Sequence, residues 1–190
     1  MSEPDRSNPW TTLAGRITYQ NPWISVREDQ VIRPDGKPGI YGVVEFKNQA
    51  IGVLPVEADG SVWLVGQYRY TLNLYSWEIP EGGCPQGEDP LEAARRELRE
   101  ETGLIASIIE PMGGALHLSN SVSNESGQIF RASGLSLGLS EPEGTERLHV
   151  KQVPWSQAWA MVTSGEITDS LSVIALLHEA IRRSTLDREP

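Results

Sequence analysis

Three glutamates in a predicted helix, residues 88–102, have types and spacing that suit metal-ion chemistry. Apolar residues recur in this stretch at helical intervals, and Glu97, Glu100 and Glu101 lie three and four positions apart, so they are neighbours on the helix surface. Carboxylates that close repel one another unless a cation lies between them. Oxygen-rich sites of this kind suit Mg²⁺ or Mn²⁺, and Mg²⁺ commonly bridges to substrate phosphates.

An arginine in the same helix is placed to hold these carboxylates. Arg96 lies four residues from both Glu92 and Glu100, so it can pair with a carboxylate and fix the helix face in position. The alternative is that EARRELREE is a solvated surface helix whose charges serve solubility. The residues on either side of the helix decide between the two interpretations.

These residues repeat a specific spacing. The segment from residue 82 to residue 104 fits G-x5-E-x7-R-E-U-x-E-E-x-G-U, in which U is a bulky apolar residue, at every fixed position. The fixed positions are Gly82, Glu88, Arg96, Glu97, Leu98, Glu100, Glu101, Gly103 and Leu104. This pattern is the Nudix box, and the chain resembles the Nudix hydrolase family.

The resemblance implies an α/β fold, an α/β/α sandwich with a mixed sheet, in which the box helix carries metals for hydrolysis of a nucleoside diphosphate linked to another group. Such metals, Mg²⁺ or else Mn²⁺, would neutralise the diphosphate, orient a water and lower its pKa. The implied metal ligands are Glu97, Glu101, Glu100 and the main-chain carbonyl of Glu81. The implied bracing residues of the box are Gly82, Glu88, Arg96 and Gly103.

Two segments before the box resemble the ADP-ribose and nucleotide-sugar pyrophosphatases of this family. GQYRY and WEIPEGG are similar to their "QYR" and "E-x-P-A-G-G" segments. The resemblance implies that Arg69 contacts the diphosphate and that Glu78 holds a substrate or a bridging water. Glu81 stands where the usual residue is alanine, which adds a carboxylate beside the metals.

The substrate interpretation rests on a later polar loop, LSNSVSNES. It resembles the S-P-G-x-S-x-E loop of ADP-ribose enzymes, but Asn120 occupies the proline position, which leaves GDP-mannose or CDP-choline open beside ADP-ribose. Glu125 matches the glutamate of that loop, and it is expected to orient a substrate or a neighbouring subunit.

The general base is expected in the acidic loop EPEGTE, which offers Glu141, Glu143 and Glu146. The resemblance favours Glu146 as a late metal ligand or base, because it directly precedes an apolar-patterned strand. Glu143 is the alternative, and the box residue Glu100 is the next candidate. Loop acids of this kind are often only solvated.

The rest of the chain supplies the elements that must position these residues. An N-terminal β unit, residues 1–46, is predicted to contain three antiparallel strands, and residues 47–190 form the hydrolase domain. The N-terminal strands resemble a swapped sheet that makes related enzymes homodimers and stacks the base. Candidates for base contacts are Tyr19, Trp23, Arg27 and Arg33.

The domain of residues 47–190 begins with two predicted strands, AIGVLPVE and SVWLVGQYRY, which are expected to pair as a hairpin around Ala58-Asp59-Gly60. YSWEIPEGG is expected to be extended and then to break at its glycines. After the box, strands are expected on either side of the polar loop and again over RLHVKQV. A short helix follows Pro154, and a last helix begins near Asp169.

Composition limits the function. A formal net charge of −10 argues against a general nucleic-acid binder and against RNA decapping. The one cysteine, Cys84, fits a reducing compartment, and the chain shows neither a secretory h-region nor an apolar run long enough to span a membrane, so a cytoplasmic protein is expected. His117, His149 and His178 lack metal-ligand spacing. The leading hypothesis is a nucleotide-sugar pyrophosphatase, and the alternative is a non-catalytic nucleotide-sugar sensor.

Overall fold

The computed structural model describes residues 3–138 and 147–186, and the chain divides into two compact units. The first consists of Met1–Asn48 with His117–Glu125, and the second of Gln49–Leu116 with Ser126–Pro190. The first unit thus adds a later segment to the N-terminal strands.

An antiparallel sheet of three strands, as predicted, forms the first unit. The strands are β1 (Thr11–Gln20), β2 (Ile24–Ile32) and β3 (Pro38–Phe46), and β2 lies in the middle. Every residue of β1 is exposed. This sheet therefore leaves apolar side chains uncovered within a single copy of the chain.

The later segment joins the first unit through hydrogen bonds with β3. The Tyr41 hydroxyl donates to the carbonyl of Ser121 at 2.8 Å, and the main-chain N–H of Phe46 donates to Asn124 Oδ1 at 2.7 Å. These bonds join residues about 80 positions apart along the chain, which is why the sequence pattern placed the segment in a separate loop.

A mixed sheet forms the centre of the second unit. Its strands are β4 (Gln49–Pro55), β7 (Glu81–Cys84), β8 (Leu104–Pro111) and β10 (Ser126–Leu137), and the two-residue strand β9 (Leu116–His117) also belongs to this sheet. The strand order is β7-β4-β10-β8, with β4 and β10 parallel and the two outer pairs antiparallel.

Helices cover both faces of this mixed sheet. Because side chains alternate along a strand, Ile51 and Val53 of β4 point to one face, where they pack with Leu98 of helix α1 (Pro90–Thr102). A side chain at Gly52 would instead meet Leu171 of helix α3 (Ser170–Leu186) within 3.4 Å. The predicted α/β/α arrangement is therefore confirmed.

A separate three-stranded sheet has the order β11-β5-β6, from β5 (Val62–Arg69), β6 (Leu74–Glu78) and β11 (His149–Val153). The predicted hairpin of β4 with β5 is wrong, because these strands belong to different sheets. The predicted turn exists: Glu57 N–H donates to the Ser61 carbonyl at 2.9 Å, and Val56 and Val62 form one isolated bridge. Beyond that bridge the strands diverge, since β4 takes β7 and β10 as partners.

The second unit also contains helix α2 (Trp155–Thr163), which follows Pro154 as predicted. Among the described helices, none combines the length and the apolar composition needed to cross a membrane.

Candidate active site

Helix α1 has well-defined ends. Asp89 caps its first turn by accepting hydrogen bonds from the main-chain N–H groups of Leu91 and Glu92, and Pro90 occupies the first helical position, where its missing N–H costs nothing. Gly103 ends the helix with a φ of 72°, a left-handed conformation that favours glycine. The helix begins two residues after the predicted start at residue 88 because Asp89 is the cap.

Two of the three candidate metal-binding glutamates lie on the buried side of α1. Glu97 is 8% exposed and Glu101 is 4% exposed, beside the core residues Ala94 and Leu98. Glu100 is half-buried. Buried carboxylates require compensation by hydrogen bonds or opposite charge, so this face is built to hold them and is not a solvated surface.

Gly82 of β7 lacks a side chain, and the Glu97 carboxylate occupies the space that a Cβ atom would need. A Cβ atom at residue 82 would lie within 2.1 Å of both Glu97 carboxylate oxygens, closer than any non-bonded contact allows. The prediction that the extended chain breaks at its glycines is wrong: Gly82 and Gly83 lie inside β7, paired with Ile51 and Ala50 of β4. The glycine serves close approach of a side chain rather than a turn.

Arg96 connects the parts of the box. Its guanidinium binds Glu88 at 3.0 and 3.1 Å, Glu97 at 2.5 Å and Glu100 at 3.1 Å, and it donates to the Gly83 carbonyl at 2.8 Å. Arg96 thus makes the contacts that bracing with Glu88 requires, and the bracing role stays a prediction.

These contacts shift the pKa values of Arg96 and Glu88. Hydrogen bonding to Glu88 and to the further carboxylates raises the pKa of Arg96, and the same contact lowers the pKa of Glu88. Glu92 pairs with Arg95 at 3.5 Å. Arg96 therefore remains charged and turns its guanidinium toward the candidate metal ligands.

Glu101 is hydrogen-bonded to the first residue of strand β7, directly before the box begins. Its Oε2 accepts a hydrogen bond of 2.9 Å from the main-chain N–H of Glu81. The carbonyl of Glu81 is the implied main-chain metal ligand, so this bond holds two candidate metal-binding residues together.

Arg69 and Glu78 form a second charged group. Arg69 donates from Nε to both carboxylate oxygens of Glu78, at 2.9 and 3.0 Å, and Gln67 lies 3.4 Å from the same carboxylate. Glu78 is 2% exposed. Burial acts to lower the pKa of Arg69, but the hydrogen bond and charge of Glu78, together with the charges of Glu81 and Asp169, outweigh burial and raise the pKa. The bidentate pair fixes Arg69 at the end of β5.

The side chain of Glu81 contacts the first turn of α3, which the sequence interpretation did not include in the site. Ser172 Oγ donates to Glu81 Oε1 at 3.0 Å and accepts from the main-chain N–H of Ile79 at 2.9 Å. The Glu81 and Asp169 carboxyl groups share a hydrogen bond. The pattern Asp-x-x-Ser before an apolar helix was a visible capping signal, but nothing in it indicates contact with Glu81.

The pKa values within this group diverge. Burial, followed by the hydrogen bond and negative charge of Asp169, raises the pKa of Glu81 well above its ordinary value. Burial acts in the same direction on Asp169, but its hydrogen bonds with Glu81 and Ser172 and the charge of Arg69 together outweigh burial and lower its pKa. The surroundings therefore disfavour ionisation of Glu81 and favour ionisation of Asp169.

The donors available for a metal ion are all oxygen atoms, which is the set that Mg²⁺ and Mn²⁺ prefer. In the described parts of the chain, no three His, Cys, Asp or Glu side chains are already arranged to hold a metal ion. Arg96 Nη1 bonds to both Glu97 and Glu100, so a cation would compete with this guanidinium for them. The absence of a Cβ at Gly82 lets the Glu97 carboxylate approach β7 closely, and the all-oxygen donor chemistry of this face fits such a cation.

The remaining substrate candidates lie in the first unit. Tyr19 is 56% exposed and Trp23 is 69% exposed. Arg33 pairs with Asp35 at 2.9 Å, and Glu125 is half-buried. Their contacts with a substrate remain predictions.

The acidic-loop glutamates, Arg27 and Cys84 remain to be placed. Glu141, Glu143 and Glu146 lie outside the described residues, so the choice of base stays a prediction. Arg27 forms ion pairs with Asp29 and Glu45 in the first sheet. Its predicted contact with the base of the substrate would have to be made alongside these two pairs. Burial raises the pKa of the Cys84 thiol, in keeping with a packing role.

Family comparisons divide the chain in a similar way. A model described as "Nucleoside diphosphate sugar hydrolase N-terminal domain" matches residues 10–44. A model described as "NUDIX domain" matches residues 47–169, which includes the box helix, the mixed sheet and both Glu78 and Asp169.

Individual relatives agree with these models. The chain is 31% identical over 180 residues to the ADP-ribose pyrophosphatase of Mycobacterium tuberculosis, covering 93% of this chain and 84% of that protein. It is 29% identical over 175 residues to the ADP-ribose pyrophosphatase of Bacillus subtilis, covering 91% and 94%.

A solved structure described as an ADP compounds hydrolase has the same fold, with a TM-score of 0.86 at 20% identity over 98% of this chain and all of that one. The family that the box spacing predicted is therefore confirmed: this chain belongs to the NUDIX hydrolases.

Proposed function

We propose that this enzyme hydrolyses the diphosphate of a nucleoside diphosphate sugar, ADP-ribose or a similar compound, to a nucleoside monophosphate and a sugar phosphate. The observation that carries the proposal is the complete box, in which Gly82 admits the Glu97 carboxylate, Arg96 binds the Gly83 carbonyl and Glu101 binds the main chain of Glu81. The match of residues 10–44 to a nucleoside diphosphate sugar hydrolase domain supports a sugar nucleotide as the substrate.

The chain's own residues have distinct tasks in this reaction. Glu97, Glu100, Glu101 and the Glu81 carbonyl would hold Mg²⁺ or Mn²⁺. A divalent cation, when bound, neutralises the diphosphate and makes its phosphorus more open to attack by water. Arg69, fixed by Glu78, offers its remaining N–H groups to a phosphate oxygen.

Proton removal from the attacking water is assigned to Glu146, with Glu143 and then Glu100 as alternatives. A base must lie within hydrogen-bond reach of the water it deprotonates. The box carboxylates are committed to holding positive charge, so an acid from another part of the chain suits this step better.

The enzyme is proposed to act as a homodimer in the cytoplasm. Five large apolar side chains on or beside the first-unit sheet are more than half exposed: Leu13, Ile17, Tyr19, Trp23 and Ile40. Exposed apolar surface of this extent is typical of an interface, and a three-stranded sheet alone buries little core. The single cysteine suits a reducing compartment.

A substrate panel tests the proposal. Purified protein with Mg²⁺ is incubated with ADP-ribose, GDP-mannose, UDP-glucose and CDP-choline, and products are separated by anion-exchange chromatography. We expect a nucleoside monophosphate and a sugar phosphate from at least one sugar nucleotide, and loss of that activity in Glu97→Gln. Tight binding of a sugar nucleotide without any turnover would favour the sensor alternative and contradict the proposal.

A further inference from the structure

The short segment Ile79–Glu81 is held from two sides within the second unit. On one side, the Glu81 main-chain N–H donates to Glu101 Oε2 of α1 at 2.9 Å. On the other side, Ser172 of α3 accepts from the N–H of Ile79 at 2.9 Å and donates to the Glu81 side chain at 3.0 Å. The position of the segment therefore depends on α3 as much as on the box.

Asp169 completes the contact from α3. Its carboxylate accepts from the main-chain N–H of Ser172 at 2.8 Å, and its carbonyl accepts from the N–H of Val173 at 2.9 Å, which is the geometry of a helix cap. The same carboxyl group lies within hydrogen-bonding reach of the Glu81 side chain, which Ser172 also contacts at 3.0 Å. One aspartate thus begins the helix and fixes the side chain of the segment.

Resting on the proposed function, we infer that Asp169 and Ser172 are positioning residues that act through Glu81 on Glu101. The α3 clamp, defined as Asp169 and Ser172, fixes the main chain of Glu81, and Glu81 fixes the carboxylate of Glu101. Neither clamp residue touches the substrate in this account. Removing either clamp residue changes the orientation of the Glu101 carboxylate but leaves all the metal-binding carboxylates in the chain.

The Glu81 side chain makes this dependence possible. An alanine at this position would have no atom that reaches Ser172 Oγ or the Asp169 carboxylate. Ser172 is fully buried, so its hydroxyl cannot replace these partners with water. The clamp therefore has few alternative arrangements, and a change in it passes to Glu81.

The test separates positioning from helix capping. Asp169→Asn keeps an oxygen that caps α3, but it replaces the second carboxylate oxygen, an acceptor, with an NH₂ group that only donates. Ser172→Ala removes the bridge between Ile79 and Glu81. Ser170→Ala is the matched control, since Ser170 is an exposed serine in the same turn. All are compared with the parent chain at a temperature well below each melting midpoint.

Two measurements need no substrate. Mn²⁺ affinity is measured by electron paramagnetic resonance, and hydrogen exchange of the Glu81 amide is followed by NMR in metal-free protein. We expect Asp169→Asn and Ser172→Ala to weaken Mn²⁺ binding about threefold or more and to speed exchange of that amide about tenfold, which corresponds to the loss of one modest hydrogen bond. Ser170→Ala should match the parent.

Kinetics on the best sugar nucleotide then give the expected pattern of a lower kcat with KM nearly unchanged, because the substrate contacts remain. Unchanged Mn²⁺ affinity and Glu81 exchange in both clamp variants would overturn the inference, whatever their melting temperatures. Failure of the parent to hydrolyse any sugar nucleotide would contradict the proposed function alone, because the two substrate-free measurements still decide the role of the clamp.

Discussion

The main-chain N–H of Glu81 donates a 2.9 Å hydrogen bond to Glu101 Oε2, and this bond joins strand β7 to helix α1 across 20 positions of the chain. It orients one oxygen of a carboxylate that is 4% exposed. A group held this firmly has a defined direction before any ligand arrives, which is the preorganisation that electrostatic catalysis requires.

Glu101→Gln should lower kcat by at least ~10²-fold while the fold survives, because one metal-binding charge and a few kcal/mol of transition-state stabilisation are lost. Glutamine keeps an oxygen that can accept the Glu81 N–H. Turnover is measured at saturating Mg²⁺, with circular dichroism as the check on folding. Glu92→Gln is the matched control, since Glu92 lies exposed on the same helix. Near-parental turnover of Glu101→Gln would contradict the metal assignment.

Gly82→Ala should damage both stability and activity. The added methyl group would lie within 2.1 Å of the Glu97 carboxylate oxygens, so Glu97 must move, and overpacking of this kind costs about 1–3 kcal/mol. Urea denaturation measures the free energy of unfolding, and the substrate assay measures kcat. Gly114→Ala is the control, because a Cβ at Gly114 meets nothing within 4 Å. Equal stability of the two variants would show that Glu97 adjusts without cost.

Local features of the site were predictable from sequence because their causes are local. The helical spacing of Glu97 and Glu101 and the reach of Arg96 toward Glu100 follow from residues within one segment, and the structure shows the helix and the Arg96–Glu100 contact at 3.1 Å. The three N-terminal strands were equally visible, since the turn PDGKPG separates two apolar-patterned runs.

Long-range features were not predictable in this way. Strand β4 pairs with β7 and β10, although its neighbour in sequence is β5, and it lies inside the mixed sheet, where helices cover both of its faces. The hydrogen bonds of Ser172 reach Ile79 and Glu81, more than 90 positions away. Hydrophobic periodicity in a single sequence indicates local structure only, so it cannot predict such a contact.

The enzyme should be a homodimer through residues 15–46. Ile17 is 51% exposed on β1, and burying it against a second copy is favourable by the hydrophobic effect. Light scattering at micromolar concentration should give twice the monomer mass for the parent and the monomer mass for Ile17→Glu. Leu137→Glu, at an apolar position of the second unit that is 82% exposed, is the control. A monomeric parent would contradict the prediction.

The acidic loop should supply the base. Removing a general base typically costs ~10²–10⁴-fold in rate, whereas removing a solvated acid costs almost nothing. We expect Glu146→Gln to be slower than Glu143→Gln at saturating Mg²⁺. Hydrolysis in ¹⁸O-water should place the label in one of the two phosphate products only, because water attacks one phosphorus in line. If both variants turn over like the parent, the base lies elsewhere, and Glu100 is the next candidate.

The Glu81 carboxyl should make stability depend on pH in the metal-free protein. Its unfolded pKa is near 4.5, and burial beside Asp169 raises its folded pKa well above that value. A raised pKa gives stability that is complete below the unfolded pKa and is lost as pH rises toward the folded pKa. Glu81→Gln cannot ionise, so it does not suffer this loss.

Thermal melts in EDTA from about pH 5 to about pH 8 measure the effect. We expect the melting temperature of Glu81→Gln to rise relative to that of the parent as pH increases. Glu92→Gln is again the control, because Glu92 is exposed and lies outside the Glu81–Asp169 pair. A difference between Glu81→Gln and the parent that stays constant over this range would show that Glu81 is ionised in the folded enzyme, and that Asp169 accepts no proton from it.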